Sequence, residues 1–411
     1  MGKGCWMRIN EVKVKSIDDS SKFLYPNRTI EIKTSKQDIL TPIRASTDSE
    51  YRQKALIPTD LPIENPISIA IEELNARQFD KFMNENGYFA KLTSRAELKN
   101  RLSQYSNLSL FLLKPTKSDI KDQITGEIRF SPMTLLKQNP MLLERFLRVN
   151  VRMQQEAGLS PISIPFIDLP FKEYSNLIIK LDRDLEKINE QPVFFIDMNY
   201  KDFEKALKLI VNTLRLNLVG LYFQSYRRAH ISYEVLRNFV RTDVAFFAIQ
   251  VERVGLNELS TMHYLPFFGN DIYSVEKPRG FLEIDPLTGK PKKFMIYKPE
   301  NVRLFDKKSL QVRHIAADPS LVENLSDEYR QDPLIPTVLQ NYQEATTKEK
   351  YEILNAFSKI SELNDSSLEF KNFQKFIKQN STKDYIDEKP ALKKTLRDVT
   401  GHQVNVNWNF T

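Results

Sequence analysis

The sequence predicts an α/β protein built on a (β/α)8 TIM-barrel-like domain and followed by a mainly helical C-terminal extension. From about residue 140 to 280, short runs of apolar, β-branched and aromatic residues alternate with amphipathic stretches. The runs are almost continuously apolar, which is typical of parallel strands buried on both faces. Because the βα unit repeats, the pattern fits either a closed barrel or an open doubly wound sheet.

The predicted strands fall into two groups. Those of the regular region are ISIPFID (162–168), PVFFID (192–197), LVGLYFQ (218–224), VAFFAIQVE (244–252) and DIYSVE (271–276). Those of the first half are RTIEIKT (28–34), PISIAI (66–71), GYFAKL (87–92) and SLFLLK (109–114). Together they supply enough strands for an eight-stranded barrel and one additional N-terminal strand.

The intervening stretches and the C-terminal third predict the rest of the organisation. In KDFEKALKLIVNTL, the apolar residues Phe203, Leu207 and Ile210 recur at helical spacing. FLEIDPLTGKPKKFMIY predicts a hairpin around Gly289, and LEFKNFQKFIKQ predicts a helix. We therefore expect an N-terminal extension over 1–27, the barrel-like domain over 28–280, and a hairpin plus helical extension over 281–411.

Composition excludes several classes of protein. The chain has 411 residues, a net charge of +7 and a single cysteine, Cys5, which rules out an internal disulfide and any multi-cysteine metal site. The four histidines show no metal-ligand spacing, and neither GxGxxG nor GxxxxGK[ST] occurs. We expect no metal and no cofactor. The positive charge favours an anionic partner, and the lack of a long apolar run predicts a cytoplasmic protein with no membrane partner.

Polar residues follow the predicted strands of the regular region, where sites form in parallel α/β folds. They are Asp168, Asp197, Gln224 with Tyr226 and Arg227, Gln250 with Glu252 and Arg253, and Asp271 with Ser274, Glu276 and Lys277. Acids and amides that converge there predict a pocket for a ligand that both donates and accepts hydrogen bonds, such as a nucleobase. The alternative for Asp168 and Asp197 is that each caps the helix after it.

Several segments, read in order, resemble the tRNA-guanine transglycosylase superfamily, including its 7-deazaguanine DNA branch. They are FSPMTLL (130–136), RMQQEAGLSPISIPFID (152–168), PVFFIDMN (192–199), LVGLYFQSY (218–226) and GNDIYSVEKPR (269–279). Members of this superfamily exchange a guanine in tRNA or DNA for a deazapurine base on a barrel fold. The similar order covers roughly residues 28 to 280, and it implies a nucleic-acid partner and that Asp168 reads the base.

The resemblance also implies roles for other residues. Ser274 stands where the family has its nucleophilic Asp, so the candidate catalytic residues are Asp271, Glu276 and Ser274. The candidate base-binding residues are Asp168, Asp197, Gln224 and Tyr226. The candidate phosphate-binding residues are Arg227, Arg228, Lys277, Arg279, Lys292 and Lys293. Asp197 with Met198, and Phe223 with Gln224, replace glycines at which the family lets a base approach the backbone.

Three functions are consistent with these residues. The first is a transglycosylase-like protein that acts on or binds a guanine or 7-deazaguanine base in tRNA or DNA. The second is a catalytically inactive barrel that serves as a nucleic-acid-binding or scaffold subunit, with a protein partner on the C-terminal helical extension. The third is an unrelated barrel enzyme with a small-metabolite substrate, because fold does not determine function.

Overall fold

The computed structural model has a mixed α/β architecture whose centre is a parallel six-stranded sheet with helices packed around it. Its described residues are 9–20, 26–47, 50, 66–102, 108–121, 128–251, 265–275, 283–284, 291–292, 301–306, 310–316 and 347–400. Within these ranges, no helix combines the length and hydropathy needed to cross a bilayer.

The strands are labelled in chain order. They are β1 (Ile9–Asp18), β2 (Asn27–Thr34), β3 (Asp38–Leu40), β4 (Ile43–Arg44), β5 (Ser46–Thr47), β6 (Ile67–Leu74), β7 (Leu108–Pro115), β8 (Ile120–Lys121), β9 (Ile128–Arg129), β10 (Ile162–Ile164), β11 (Pro192–Asp197), β12 (Leu218–Tyr222), β13 (Ala245–Val251), β14 (Ile272–Val275), β15 (Glu283–Ile284), β16 (Pro291–Lys292), β17 (Asn301–Asp306) and β18 (Gln311–Ala316).

The helices follow the strands as the alternating pattern predicts. They are α1 (Ala76–Asn84), α2 (Asn86–Leu102), α3 (Pro132–Gln138), α4 (Pro140–Glu156), α5 (Phe171–Lys187), α6 (Phe203–Lys208), α7 (Tyr226–Arg237), α8 (Thr347–Lys378), α9 (Thr382–Asp387) and α10 (Pro390–Thr400). A π-helical turn (Leu209–Thr213) extends α6, and a 3₁₀ turn (Leu265–Phe268) precedes β14.

Two parallel sheets share one extended segment. The six-stranded sheet has the order β10-β11-β12-β13-β14-β4, and a three-stranded sheet has the order β5-β6-β7. Only Ala45 separates β4 from β5, and its amide donates to Tyr273 O at 2.6 Å. At the other edge, β7 and β10 are in contact, but no hydrogen-bonded ladder joins them among the described residues. The hydrogen bonding thus does not close into a barrel.

Most predicted strands are confirmed, but GYFAKL (87–92) is not a strand. It lies within α2, where Leu92, Thr93 and Ala96 are buried. Phe89, Leu92, Thr93 and Ala96 follow the i, i+3, i+4, i+7 spacing of one helical face, so the prediction of a strand was wrong because its apolar residues have the helical period. The predicted hairpin is observed as the antiparallel pair β15 and β16, although Gly289 itself lies outside the described residues.

The N-terminal strands β1, β2 and β3 form an antiparallel sheet that one buried side chain joins to the parallel sheet. Arg28, on β2, pairs with Asp271 through two hydrogen bonds, Nε to Oδ1 at 3.0 Å and Nη2 to Oδ2 at 2.7 Å. Its guanidinium also donates to four carbonyl oxygens of residues 239–244. The Asp271 carboxylate accepts a further bond from Phe246 N at 2.9 Å. This ion pair thus joins three segments of the chain.

The C-terminal helices pack on the sheets. Phe370 of α8 stacks on Tyr273 of β14, with ring centroids 5.6 Å apart. Gln374, on the same helix, donates to Leu40 O and Pro42 O at 2.9 and 3.0 Å. Asp18, at the end of β1, accepts from the amide and the hydroxyl of Thr382 where α9 begins. The part of the extension that is described therefore covers the edge where β14 and β4 meet.

We predict that Asp271→Ala lowers the free energy of unfolding by about 3–5 kcal/mol, because it leaves the Arg28 guanidinium buried without its counter-charge. The measurement is a urea titration followed by circular dichroism. Asp184→Ala is the matched control, since Asp184 forms an exposed pair with Lys187 on α5 and its loss is expected to change stability by less than about 1 kcal/mol. Equal losses in the two variants would contradict the structural role of Asp271.

Candidate functional site

Polar side chains from β6, β7, β11, β12 and β13, and from the loop after β7, meet at the carboxyl ends of these strands. We call this group the mouth, and it consists of Glu73, Lys114, Lys117, Asp197, Tyr222 and Gln250. It connects the three-stranded sheet to the six-stranded sheet through side chains. Two lysines and two carboxylates balance in charge, so the mouth favours neither a cation nor an anion by net charge alone.

Asp197 is the most deeply placed carboxylate of the mouth. It is the last residue of β11, its side chain is 9% exposed, and it forms an ion pair with Lys117, whose side chain is 51% exposed. The Lys117 ammonium also lies 5.9 Å from the ring centroid of Phe166. Asp197 Oδ1 accepts from Asn199 N at 3.0 Å, which fixes the carboxylate to the backbone after the strand. The Asp197 carboxylate is thus a rigid hydrogen-bond acceptor, whereas the Lys117 ammonium that pairs with it is on a long, half-exposed side chain.

A second cluster links β6 and β7 to β13. Glu73 and Lys114 are register partners on β6 and β7, with Lys114 Nζ 3.3 Å from Glu73 Oε1. Gln250 accepts a hydrogen bond from Lys114 Nζ and donates from Nε2 to Glu73 Oε1 at 3.1 Å. The Lys114 ammonium also lies 5.3 Å from the ring centroid of Tyr222. The amide of Gln250 therefore links a positively charged side chain, Lys114, to a negatively charged one, Glu73.

Tyr222 lies on β12, between the strands that carry Asp197 and Gln250. It is the register partner of Asp197 on one side and of Ile249 on the other. Burial, reinforced by the nearby negative charge of Asp197, raises the pKa of the Tyr222 phenol well above its ordinary value. The hydroxyl therefore stays protonated and remains a donor at neutral pH.

The two aspartates predicted to read a base lie at the carboxyl ends of their strands, but only Asp197 belongs to the mouth cluster. Asp168 follows β10 and forms a half-exposed ion pair with Lys137 of α3, at 2.9 Å. Neither aspartate caps a helix, because the N-caps of α5 and α6 are Pro170 and Asp202. The alternative that both are helix caps was wrong.

The remaining base- and phosphate-binding candidates are placed only in part. The backbone oxygen of Gln224 accepts from Tyr233 Oη at 2.8 Å, and Arg228 is exposed on the first turn of α7. Tyr226 and Arg227 begin α7 and Lys292 lies in β16, but the side chains of these three are not described. The candidates that lie outside the described residues are Glu276, Lys277, Arg279 and Lys293.

The structure corrects the catalytic candidate Asp271. It precedes β14 and therefore lies at the amino end of the strand, opposite the mouth, where it is 2% exposed and bound to Arg28. Burial raises the pKa of its carboxyl, and Arg28 acts in the opposite direction. A buried carboxylate that is fully paired with an arginine cannot reach a substrate at the mouth. Ser274, by contrast, lies within β14, and its fully buried hydroxyl has no hydrogen-bond partner in the described part of the chain.

Gly220 has a packing role in the interior below the mouth. A Cβ at this position would lie 2.2 Å from the ring of Phe195, its register partner on β11. The aromatic ring thus occupies the space that the missing side chain leaves, which explains a glycine in the middle of a buried strand.

Reasoning from the sequence missed Glu73, Lys114 and Lys117. The rule that sites form at strand ends was applied only to the regular region, although PISIAI continues into Glu72 and Glu73 and SLFLLK ends at Lys114. Applying the same rule to the first half would have found two of these three residues. Which strand ends face each other across two sheets depends on tertiary contacts, and no local pattern contains that information.

Neither a metal-binding group among the described residues nor a match to a known family or curated protein was found. Among the described residues, no three histidine, cysteine or acidic side chains group closely enough to hold a metal ion. The chain matches no protein-family model and no curated protein.

We predict that Gly220→Ala lowers the free energy of unfolding by about 1–3 kcal/mol, because the added methyl group must displace the Phe195 ring. Thermal denaturation measures the loss. Gly87→Ala is the control, because nothing lies within 4 Å of a Cβ on Gly87 and alanine favours the helix there. Phe195→Leu is expected to restore part of the stability of Gly220→Ala; no restoration would argue against the ring as the cause.

Proposed function

We propose that this chain is a (β/α)8 barrel of the transglycosylase type whose mouth binds a guanine-like base of tRNA or DNA. Three observations support a barrel. The segment of β4 and β5 is shared by both parallel sheets, and β7 contacts β10. Side chains of β6 and β7 bond to Gln250 of β13, and Lys117 of the loop after β7 bonds to Asp197 of β11. Counted with β4 and β5 as one strand, eight parallel strands take part.

The observation that carries base binding is Asp197, a rigid and largely buried carboxylate at the mouth. The Watson–Crick edge of guanine presents two adjacent donors, N1–H and the exocyclic amine, and a carboxylate accepts from both. Lys114 and Lys117, whose ammonium groups lie 5.3 and 5.9 Å from the buried rings of Tyr222 and Phe166, add donors beside this acceptor. Enzymes that take a base from nucleic acid read it in part through hydrogen bonds to its Watson–Crick edge.

The same geometry favours binding over base exchange. A family-type exchange needs a carboxylate nucleophile at the position of Ser274, and a serine hydroxyl without an adjacent base is a weak nucleophile. Asp271 lies at the opposite end of β14 and is held by Arg28. Exchange would therefore require a carboxylate from another segment, such as Glu276.

A nucleic-acid ligand is supported by the net charge of +7 and by Arg228, which is exposed where α7 starts after β12. Backbone contacts by basic side chains supply most of the sequence-independent affinity of such proteins. Arg227, Lys277, Arg279, Lys292 and Lys293 are the further phosphate-binding candidates, and the C-terminal extension remains the proposed surface for a protein partner.

The test is retention of labelled bulk tRNA and of duplex DNA at two salt concentrations, with free guanine or adenine as competitor. We expect salt-sensitive retention that guanine competes better than adenine. Asp197→Asn keeps the shape and the backbone bond but loses one acceptor, so guanine competition is expected to weaken about 10- to 100-fold.

Asp184→Asn, an exposed carboxamide change on α5, is the matched control and should leave competition unchanged. Uptake of labelled guanine into either polymer, measured in parallel, would show that exchange takes place and that binding is not the whole function. Failure of both polymers and of guanine to bind would reject the proposal and favour a small-metabolite enzyme.

A further inference from the structure

The end of β13 contains a backbone irregularity that packing alone does not require. Gln250 has φ of +57°, in the left-handed region that residues with a side chain rarely adopt. Four other non-glycine residues share this conformation in the described ranges, and all of them lie in turns between elements: Asn189, Arg215, Leu310 and Asn380. Gln250 lies within a strand.

The irregularity is a β-bulge. Ala248 pairs with Tyr273 and Val251 pairs with Val275, so three steps along β13 match two steps along β14. Ala248 and Val251 consequently face the same apolar cluster, although they are three residues apart. In a regular strand, Gln250 would share a face with Ala248 and point away from Ile249. The additional residue instead turns the Gln250 amide into the mouth.

The bulge places the amide opposite Asp197. β11 and β13 flank β12, so the Cα atoms of Asp197 and Gln250 stand about two strand spacings apart, roughly 10 Å. Tyr222 lies between them on β12. A planar heterocycle lying across β12 would meet a carboxylate at one edge and an amide at the other. Strained backbone conformations of this kind persist where they aim a functional side chain.

We propose that Gln250 is the specificity-determining residue of the mouth, and that its amide hydrogen-bonds the edge of the heterocycle opposite the edge read by Asp197. The inference rests on the proposed base-binding function and adds a requirement for an acceptor at that opposite edge. The amide is available for exchange, because its present partners Lys114 and Glu73 have flexible, partly exposed side chains. A ligand acceptor replaces Glu73 as the partner of Gln250 Nε2.

The experiment compares guanine with 7-deazaguanine by calorimetric titration of the full chain. 7-Deazaguanine keeps the N1–H and 2-amino donors for Asp197 but has a C–H group in place of the N7 acceptor at the opposite edge. The parent chain is expected to bind guanine at least tenfold more tightly than 7-deazaguanine. Gln250→Glu removes the donor and is expected to weaken guanine binding at least tenfold, to the affinity of 7-deazaguanine. Gln250→Gly removes the side chain and relieves the left-handed strain. It is expected to lose at least tenfold in guanine affinity without any fall in melting temperature.

Arg215→Gly is the matched control, because Arg215 has the same left-handed backbone, φ +58°, and is exposed before the amino end of β12. The melting temperature of Arg215→Gly should be like that of Gln250→Gly. Its affinity for guanine should be the same as that of the parent chain. If the parent chain binds guanine and both Gln250 variants bind it equally well, the role of Gln250 is overturned while the proposed function stands. If the parent chain binds neither guanine nor 7-deazaguanine, the role of Gln250 and the proposed function are both rejected.

Discussion

The buried pair of Arg28 and Asp271 is the constraint on which the rest of the architecture depends. One guanidinium ties the N-terminal antiparallel sheet to the start of β14 and to the loop between α7 and β13. Each donor of a buried arginine that is left unsatisfied costs free energy, and for Arg28 carbonyl oxygens satisfy the donors that the carboxylate does not reach. The start of β14 is thereby held in place, and with it the register of β14 against β13 and β4.

That register determines at which end of the parallel strands each polar side chain lies. Asp271 is at the amino end of β14, so the strand runs from a structural ion pair toward the carboxyl ends that form the mouth. The two ends of the parallel strands thus have different chemistry. The amino end is closed by paired charges and the N-terminal sheet, whereas partly exposed lysines, acids and an amide occupy the carboxyl end. In parallel α/β folds, sites form at the carboxyl ends of the strands, which is the end that carries the mouth.

The sequence predicted the α/β class and most strands, because continuous apolar runs such as PVFFID are a local signal. It misplaced GYFAKL, since four apolar residues among six leave the strand and helix periods hard to separate in so short a segment. It ranked Asp271 as catalytic because proximity in sequence to a strand does not say which end of the strand a residue occupies. Gln250 was noticed at a strand end, but its importance comes from a bulge, and no residue pattern around it encodes a left-handed glutamine.

The mouth combines one rigid acceptor with mobile cations, and this difference bears on how a ligand is read. Asp197 ends a buried strand and its carboxylate is fixed by a backbone amide, so it moves little when its partner changes. Lys117 is half exposed on a flexible stem and can leave Asp197 without loss of packing. In the proposed function, a base with two adjacent donors would replace the ammonium at this fixed acceptor, and the displaced lysine would then pair with a phosphate of the same ligand. Such an exchange would retain the charge balance of the mouth, so an anionic ligand would bind without leaving a carboxylate or an ammonium unpaired.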